Sequence, residues 1–140
     1  MKKLLSKVCD PGTTSTTGSF GLLILRVFTG ATMAIAHGWG KLTGFSEKSG
    51  GFPDPIGLGS PTALGLAVFA EVFCSIAIVL GLFTRAAAIP LLITMMVAAF
   101  MIHGDDPFQK KELALFYGAT YLTLIFTGAG KFSADAKLGR

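Results

Sequence analysis

The sequence predicts an all-α fold, a polytopic membrane four-helix bundle with antiparallel up-down topology, and three observations carry that prediction. The 140 residues are 51% hydrophobic and only 14% charged, with a mean hydropathy of +0.65, where a soluble domain has about 25% charged residues. The apolar residues gather into four runs, each close to the ~20 residues a helix needs to cross a bilayer. Gly, Ala and Ser recur inside those runs, and small residues let membrane helices approach closely where no hydrophobic force draws them together.

Residues 1–18 read as a polar, turn-prone and mobile lead, with Lys2, Lys3 and Lys7 near the membrane surface. The Cys9-Asp-Pro-Gly-Thr-Thr-Ser-Thr-Thr-Gly stretch interrupts the basic opening before any apolar core forms, so the lead is read as cytoplasmic and not as a cleaved signal. The first span runs from Phe20 to His37 or Gly40. Steps of three and four place Arg26, Gly30, Met33, His37 and Lys41 on one polar face, expected to point inward. Leu42 to Pro61 is rich in Gly, Pro and Ser and reads either as a flexible connector or as a cap folded over the bundle mouth.

The second span, Thr62 to Leu82, carries Glu71 near its middle. A break at Phe83-Thr84-Arg85 follows, with Thr84 read as the N-cap of a third span, Ala86 to Ile102, and Pro90 near its start. Met95, Met96, Ala99 and His103 give that span an inward face. The Gly104-Asp105-Asp106-Pro107 turn opens a fourth span, from Gln109 or Glu112 to Thr127 or Gly128. On it, Glu112, Phe116, Ala119, Thr123 and Thr127 share one face, and Tyr117 and Tyr121 lie on a neighbouring one. Residues 19–130 thus form the membrane domain, and residues 131–140 a polar cytoplasmic tail.

Charge sets the orientation. Lys2, Lys3, Lys7, Arg85, Lys131, Lys137 and Arg140 fall on one side, against Lys41, Lys48, Lys110 and Lys111 on the other, which puts both termini in the cytoplasm. The net charge of +4 does not imply nucleic acid, because the bases form no stripe interleaved with aromatics; the expected partners are membrane lipids.

An ionisable side chain at mid-span is a functional candidate by default. Counting about 1.5 Å per residue from the cytoplasmic ends, Arg26 lies roughly 9 Å deep, Glu71 roughly 15–18 Å and His37 roughly 25 Å. The structural readings are an Arg26–Glu71 ion pair, or Arg26 snorkelling to the headgroups while a protonated Glu71 bonds a backbone carbonyl or Ser75. The functional reading is a proton-relay or ligand-anchoring carboxyl beneath an outer polar cluster of His37, Lys41, His103 and Glu112. That set suits a polar head such as a quinone carbonyl, with proton exchange at histidine; simple helix-end polarity suits it equally. No metal is expected, since the donors lack a Glu-x-x-His motif. Haem, dinucleotide and phosphate-loop signatures are missing too, so no cofactor or catalytic residue is assigned.

Arg26-Val-Phe-Thr-Gly30-Ala-Thr-Met-Ala-Ile-Ala-His37-Gly38-Trp-Gly-Lys41-Leu42, Glu71 in the second run, Gly81-Leu-Phe-Thr-Arg85 and His103-Gly104 together resemble the DoxX family from about Phe20 to Gly130. The resemblance implies a small bacterial inner-membrane bundle whose polar positions match Arg26, His37, Lys41, Glu71 and His103. It also implies association with quinone-coupled thiosulfate oxidation, or with redox and thiol-handling protein partners. The leading expectation is therefore a membrane subunit of a redox-linked complex that binds quinone or a lipid-like ligand, active as an enzyme only within such a complex. A non-enzymatic scaffold and a proton-coupled carrier are the alternatives.

Overall fold

The computed structural model describes residues 1–13 and 15–139; Thr14 and Arg140, the latter counted above among the cytoplasmic bases of the tail, lie outside the described residues. All regular structure among the described residues is helical. Helix α1 spans Lys2–Val8, α2 Thr16–Thr43, α3 Phe45–Lys48, α4 Ser60–Leu80, α5 Thr84–Ile102, α6 Phe108–Thr127 and α7 Ala134–Leu138. Three of them, α2, α4 and α5, are long and apolar enough to cross a membrane. Helix α6 is 20 residues long but carries Lys110, Lys111 and Glu112 in its first turns.

Helix α2 packs along α4, α4 along α5 and α5 along α6, around a core of Met33, Cys74, Ile78, Leu91, Tyr121 and Leu124. On the outside, large apolar side chains stand uncovered on every long helix: Phe28 is 70% exposed, Ile35 74%, Phe69 50%, Ile93 56% and Phe126 76%. Water would penalise such a surface, and acyl chains would not.

Each of α2, α4 and α5 contains a π-helical turn, at Met33–Gly38, Phe69–Cys74 and Ala98–Ile102. A π turn holds an extra residue per loop of helix and shifts every later side chain around the axis. In α2 the shift moves the buried position from His37 to Gly38, so the stripe predicted by regular steps of three and four holds only as far as Met33. The extra turn of helix also carries α2 to Thr43, into the stretch read as a connector, and Phe45–Lys48 is helical as well.

Two expectations at the ends of the chain change. The lead is not featureless, because Lys2–Val8 forms a helix, and the tail folds back as α7. Thr84 is not an N-cap: it is the first residue of α5, and its hydroxyl is buried without a partner. The cap is Asp135, whose carboxylate accepts from Phe83 N at 2.7 Å and Thr84 N at 3.0 Å. The chain reverses tightly here, with Gly81 and Phe83 both in the left-handed region at φ 66° and 46°, so a distant residue supplies what the local side chain cannot.

Arg26 is the second tie at this end. Fully buried, it donates to Ala129 O at 3.1 Å, Ile78 O and Val79 O at 3.0 Å and Phe132 O at 2.8 Å. It therefore neither reaches Glu71 nor snorkels. Its side chain leans toward the N-terminus of its own helix, as helical side chains do, which is away from Glu71. Gly81 makes room for it, since a Cβ there would stand 2.7 Å from the guanidinium. Burial, and then the neighbouring Asp135 carboxylate, push the Cys9 thiol above its ordinary value.

Asp135→Ala should lower stability by about 0.5–2 kcal/mol, the usual range for losing a cap. It should also make the buried Cys9 react with a maleimide under native conditions. Equal labelling of parent and variant would mean that α7 does not cover Cys9.

Candidate functional site

Helices α2 and α4 run antiparallel, as the order of their contacts shows. A Cβ at Gly30 would stand 2.9 Å from Ser75 O, and one at Gly38 2.8 Å from the carbonyl carbon and oxygen of Glu71. The backbones touch at Gly38 because nothing but hydrogen occupies that side of it. Three residues on, Lys41 leans back toward the N-terminus of α2, while Glu71 leans toward the N-terminus of α4. The two side chains converge, with Lys41 Nζ 2.6 Å from Glu71 Oε2 and 3.1 Å from His37 O. Glu71 is 5% exposed. Among the described residues only its Oε2 is hydrogen-bonded, which leaves Oε1 without a protein donor.

An aromatic and hydroxyl layer lies beside the pair. The His37 ring meets Tyr117 edge to face, with centroids 5.6 Å apart, and Tyr117 stacks on Tyr121 at 6.1 Å. The hydroxyls of Ser75 and Tyr121 are buried neighbours, and neither has a partner in good hydrogen-bond geometry among the described residues. These tyrosines belong to the buried face of α6; Glu112 and Phe116 face outward.

The six residues singled out from the sequence thus part company. His37, Lys41 and Glu71 come together. Arg26 serves the opposite end of the helices. His103 lies in the α5–α6 turn, its Nδ1 2.7 Å from Asp106 Oδ2, where the hydrogen bond from His103 holds the Asp106 carboxyl below its usual range. Glu112 is exposed on the outer surface of α6. Among the described residues no group of three His, Cys, Asp or Glu side chains is placed to hold a metal ion.

Sequence reasoning offered Ser75 only as a hydrogen-bond partner of Glu71 and gave Gly38, Tyr117 and Tyr121 no role at the site. It also left out the wall that turns the ion pair into a site. A cavity of ≈ 290 Å³ lies between α4, α5 and the 52–58 loop, with Lys41 and Glu71 at one end and Leu66, Ile93, Val97 and Phe52 along its sides. Its other polar residues are already engaged. Thr94 donates to Pro90 O, and the Asp54 carboxylate accepts from the backbone of Gly57, Leu58 and Gly59. Phe45, Phe52, Ile56 and Leu58, apolar residues scattered through a Gly/Pro loop, are the signal behind the cap reading of that stretch, and Phe52, Ile56 and Leu58 line the cavity.

In a double-mutant cycle, Lys41→Met and Glu71→Gln should couple by about 2 kcal/mol, since removing one partner strands a buried charge. The coupling should fall below about 1 kcal/mol when Gly38→Ala forces α2 away from α4. Chemical unfolding in mixed micelles reads both values, and coupling that survives Gly38→Ala would detach the ion pair from the helix crossing.

The comparisons with known proteins fit this frame. The DoxX family model matches residues 21–104, which takes in α2, α4, α5 and the ion pair. Two proteins of Haemophilus influenzae, each called an uncharacterized protein, are 37% and 35% identical to the chain over 123 residues. The alignments cover 83% and 81% of this chain, and 89% and 80% of theirs. No solved structure matches. A family match over more than half the chain, with relatives aligned along most of their length, establishes that this protein belongs to the DoxX family.

Proposed function

We propose that this membrane protein binds a lipid-like ligand, a quinone foremost, with the ligand's head against the Lys41–Glu71 pair, as the membrane subunit of a redox-linked complex. The observation that carries this reading is an apolar cavity of ≈ 290 Å³ ending in one ion pair. Small-molecule sites are mostly apolar with a few convergent polar groups, and this cavity lies near the lower end of their usual range of about 300–1,000 Å³. It suits a single ring and little more.

The pair also selects the kind of head. Lys41 and Glu71 neutralise one another, so a charged head would meet like charge from one of them. A neutral head with a carbonyl and a hydroxyl meets a donor in Lys41 Nζ and an acceptor in Glu71 Oε1. Quinone and quinol carry those groups. The electrons would come from a partner, for which a redox or thiol-handling protein is the class proposed.

The membrane arrangement belongs to the same proposal. Helix α6 is taken as a fourth span, its 20 residues rising about 30 Å, and the four helices as an antiparallel up-down bundle in the bacterial inner membrane. The excess of bases at the ends of the chain supports cytoplasmic termini. A cysteine replacing Lys48 should then be labelled by an impermeant maleimide on intact spheroplasts, and one replacing Lys137 only after lysis; the reverse pattern would invert the orientation.

Ligand binding is tested on the full chain in lipid discs, titrated with a decyl-benzoquinone. Saturable binding should weaken at least tenfold in Glu71→Gln and in Lys41→Met, and stay within twofold in Glu112→Gln. Saturable binding that ignores both site variants would move the ligand elsewhere.

A further inference from the structure

The 52–59 loop bounds the cavity on one side and the α4–α5 seam on another. The loop spends its polar groups on itself: Asp54 accepts from Gly57 N at 3.1 Å, Leu58 N at 2.9 Å and Gly59 N at 2.7 Å, and Ser60 Oγ donates to Phe52 O at 2.9 Å. A loop whose carboxylate is engaged by three of its own amides offers little to a polar ligand arriving from water. Laterally the situation is the opposite. Leu66 on α4 and Ile93 on α5 both line the cavity, yet they are 53% and 56% exposed on the outer surface. The wall between the helices is therefore a gap edged by two branched apolar side chains, and each belongs to a helix apolar and long enough to cross a membrane.

The geometry points to lateral loading from the bilayer: a single-chain amphiphile slides its neutral head between Leu66 and Ile93 to the Lys41–Glu71 pair and leaves its hydrocarbon chain lying out through that gap. This rests on the ligand-binding reading above and adds the route and the shape of the ligand. The cavity accommodates a head and a short stretch of chain, so the remainder of a long chain has to lie outside. Exposed apolar residues also line the loop side, at Ile56 and Leu58, but Leu66 and Ile93 are carried by helices apolar and long enough to cross a membrane, which puts their side toward acyl chains. A bilayer-borne ligand needs only rotation of two exposed side chains, which happens on the ps–ns scale.

The test uses the full chain in lipid discs with two probes: a dimethoxy-benzoquinone bearing a ten-carbon tail with a diazirine near its end, and the same ring without the tail. In the parent protein the tailed probe should label peptides of α4 and α5 saturably, and excess tailless ring should compete with it. Leu66→Trp with Ile93→Trp, which narrows the gap, should cut the labelling rate of the tailed probe at least tenfold and slow entry of the tailless ring by a smaller factor. Leu66→Ala with Ile93→Ala, which widens the gap, should raise the rate. Phe28→Trp, at an exposed residue of α2 that does not line the cavity, should change neither. If both probes bind the parent but the gap variants affect them equally or not at all, lateral loading is wrong and the binding reading stands. Saturable label confined to the 52–59 loop would point to entry past that loop and overturn the inference. If neither probe binds saturably in the parent, the binding reading fails and lateral loading falls with it.

Discussion

A carboxylate in the apolar part of a helix has to be neutralised by the protein itself, because neither lipid nor a hydrocarbon core can solvate it. Glu71 is held by Lys41 at 2.6 Å, and that contact constrains much of the rest. It needs α2 and α4 to touch, which Gly38 allows. It needs them antiparallel, so that two side chains each leaning toward their own N-terminus meet and do not diverge. It also needs Lys41 to remain on helix, well past the point where the apolar run ends. The π turn at Met33–Gly38 sets the rotation at which this happens.

The opposite end of the bundle answers the same problem for the backbone. Helix ends leave carbonyls and amides without partners, and at a tight reversal there is little room for water to supply them. One guanidinium takes four carbonyls from α4 and the segment after α6, and one carboxylate takes two amides at the start of α5. Both charges are consumed in doing so. The Arg26 and Asp135 charges of this end are engaged with backbone groups, whereas at the other end an ion pair faces a cavity with one oxygen unengaged.

What the sequence made legible follows from which physics acts locally. Hydropathy and turn residues located α2, α4, α5 and α6 to within a few residues, because burial and turn chemistry act over one or two turns. The partner of Glu71 was not legible. Depth counted along ideal helices placed Arg26 beneath it, yet Arg26 sits opposite Ile78, seven residues and about 10 Å along α4 from Glu71. Helix α2 begins at Thr16, earlier than its apolar residues do, and the π turn then shifts the face that follows. Neither feature has a local sequence mark. The cap from Asp135 was hidden for the same reason: the tail is polar enough to pass for solvated chain, and only the tertiary fold brings it to Phe83.

The two ends together make directionality a property of the fold. A charged pair buried for stability alone gains little over well-packed apolar residues of similar size, and here it is not fully enclosed: Lys41 keeps 24% of its side chain accessible and borders a cavity. A ligand group that buries the pair without bonding Lys41 or Glu71 leaves a polar group unpaired at a cost of about 1–3 kcal/mol. Discrimination then rests on the head, because every hydrocarbon chain fits an apolar gap about equally well. A fold that secures one end with its own terminal segments and keeps an unengaged carboxylate oxygen beside a cavity has the arrangement that the proposed sorting of neutral amphiphiles by their heads requires.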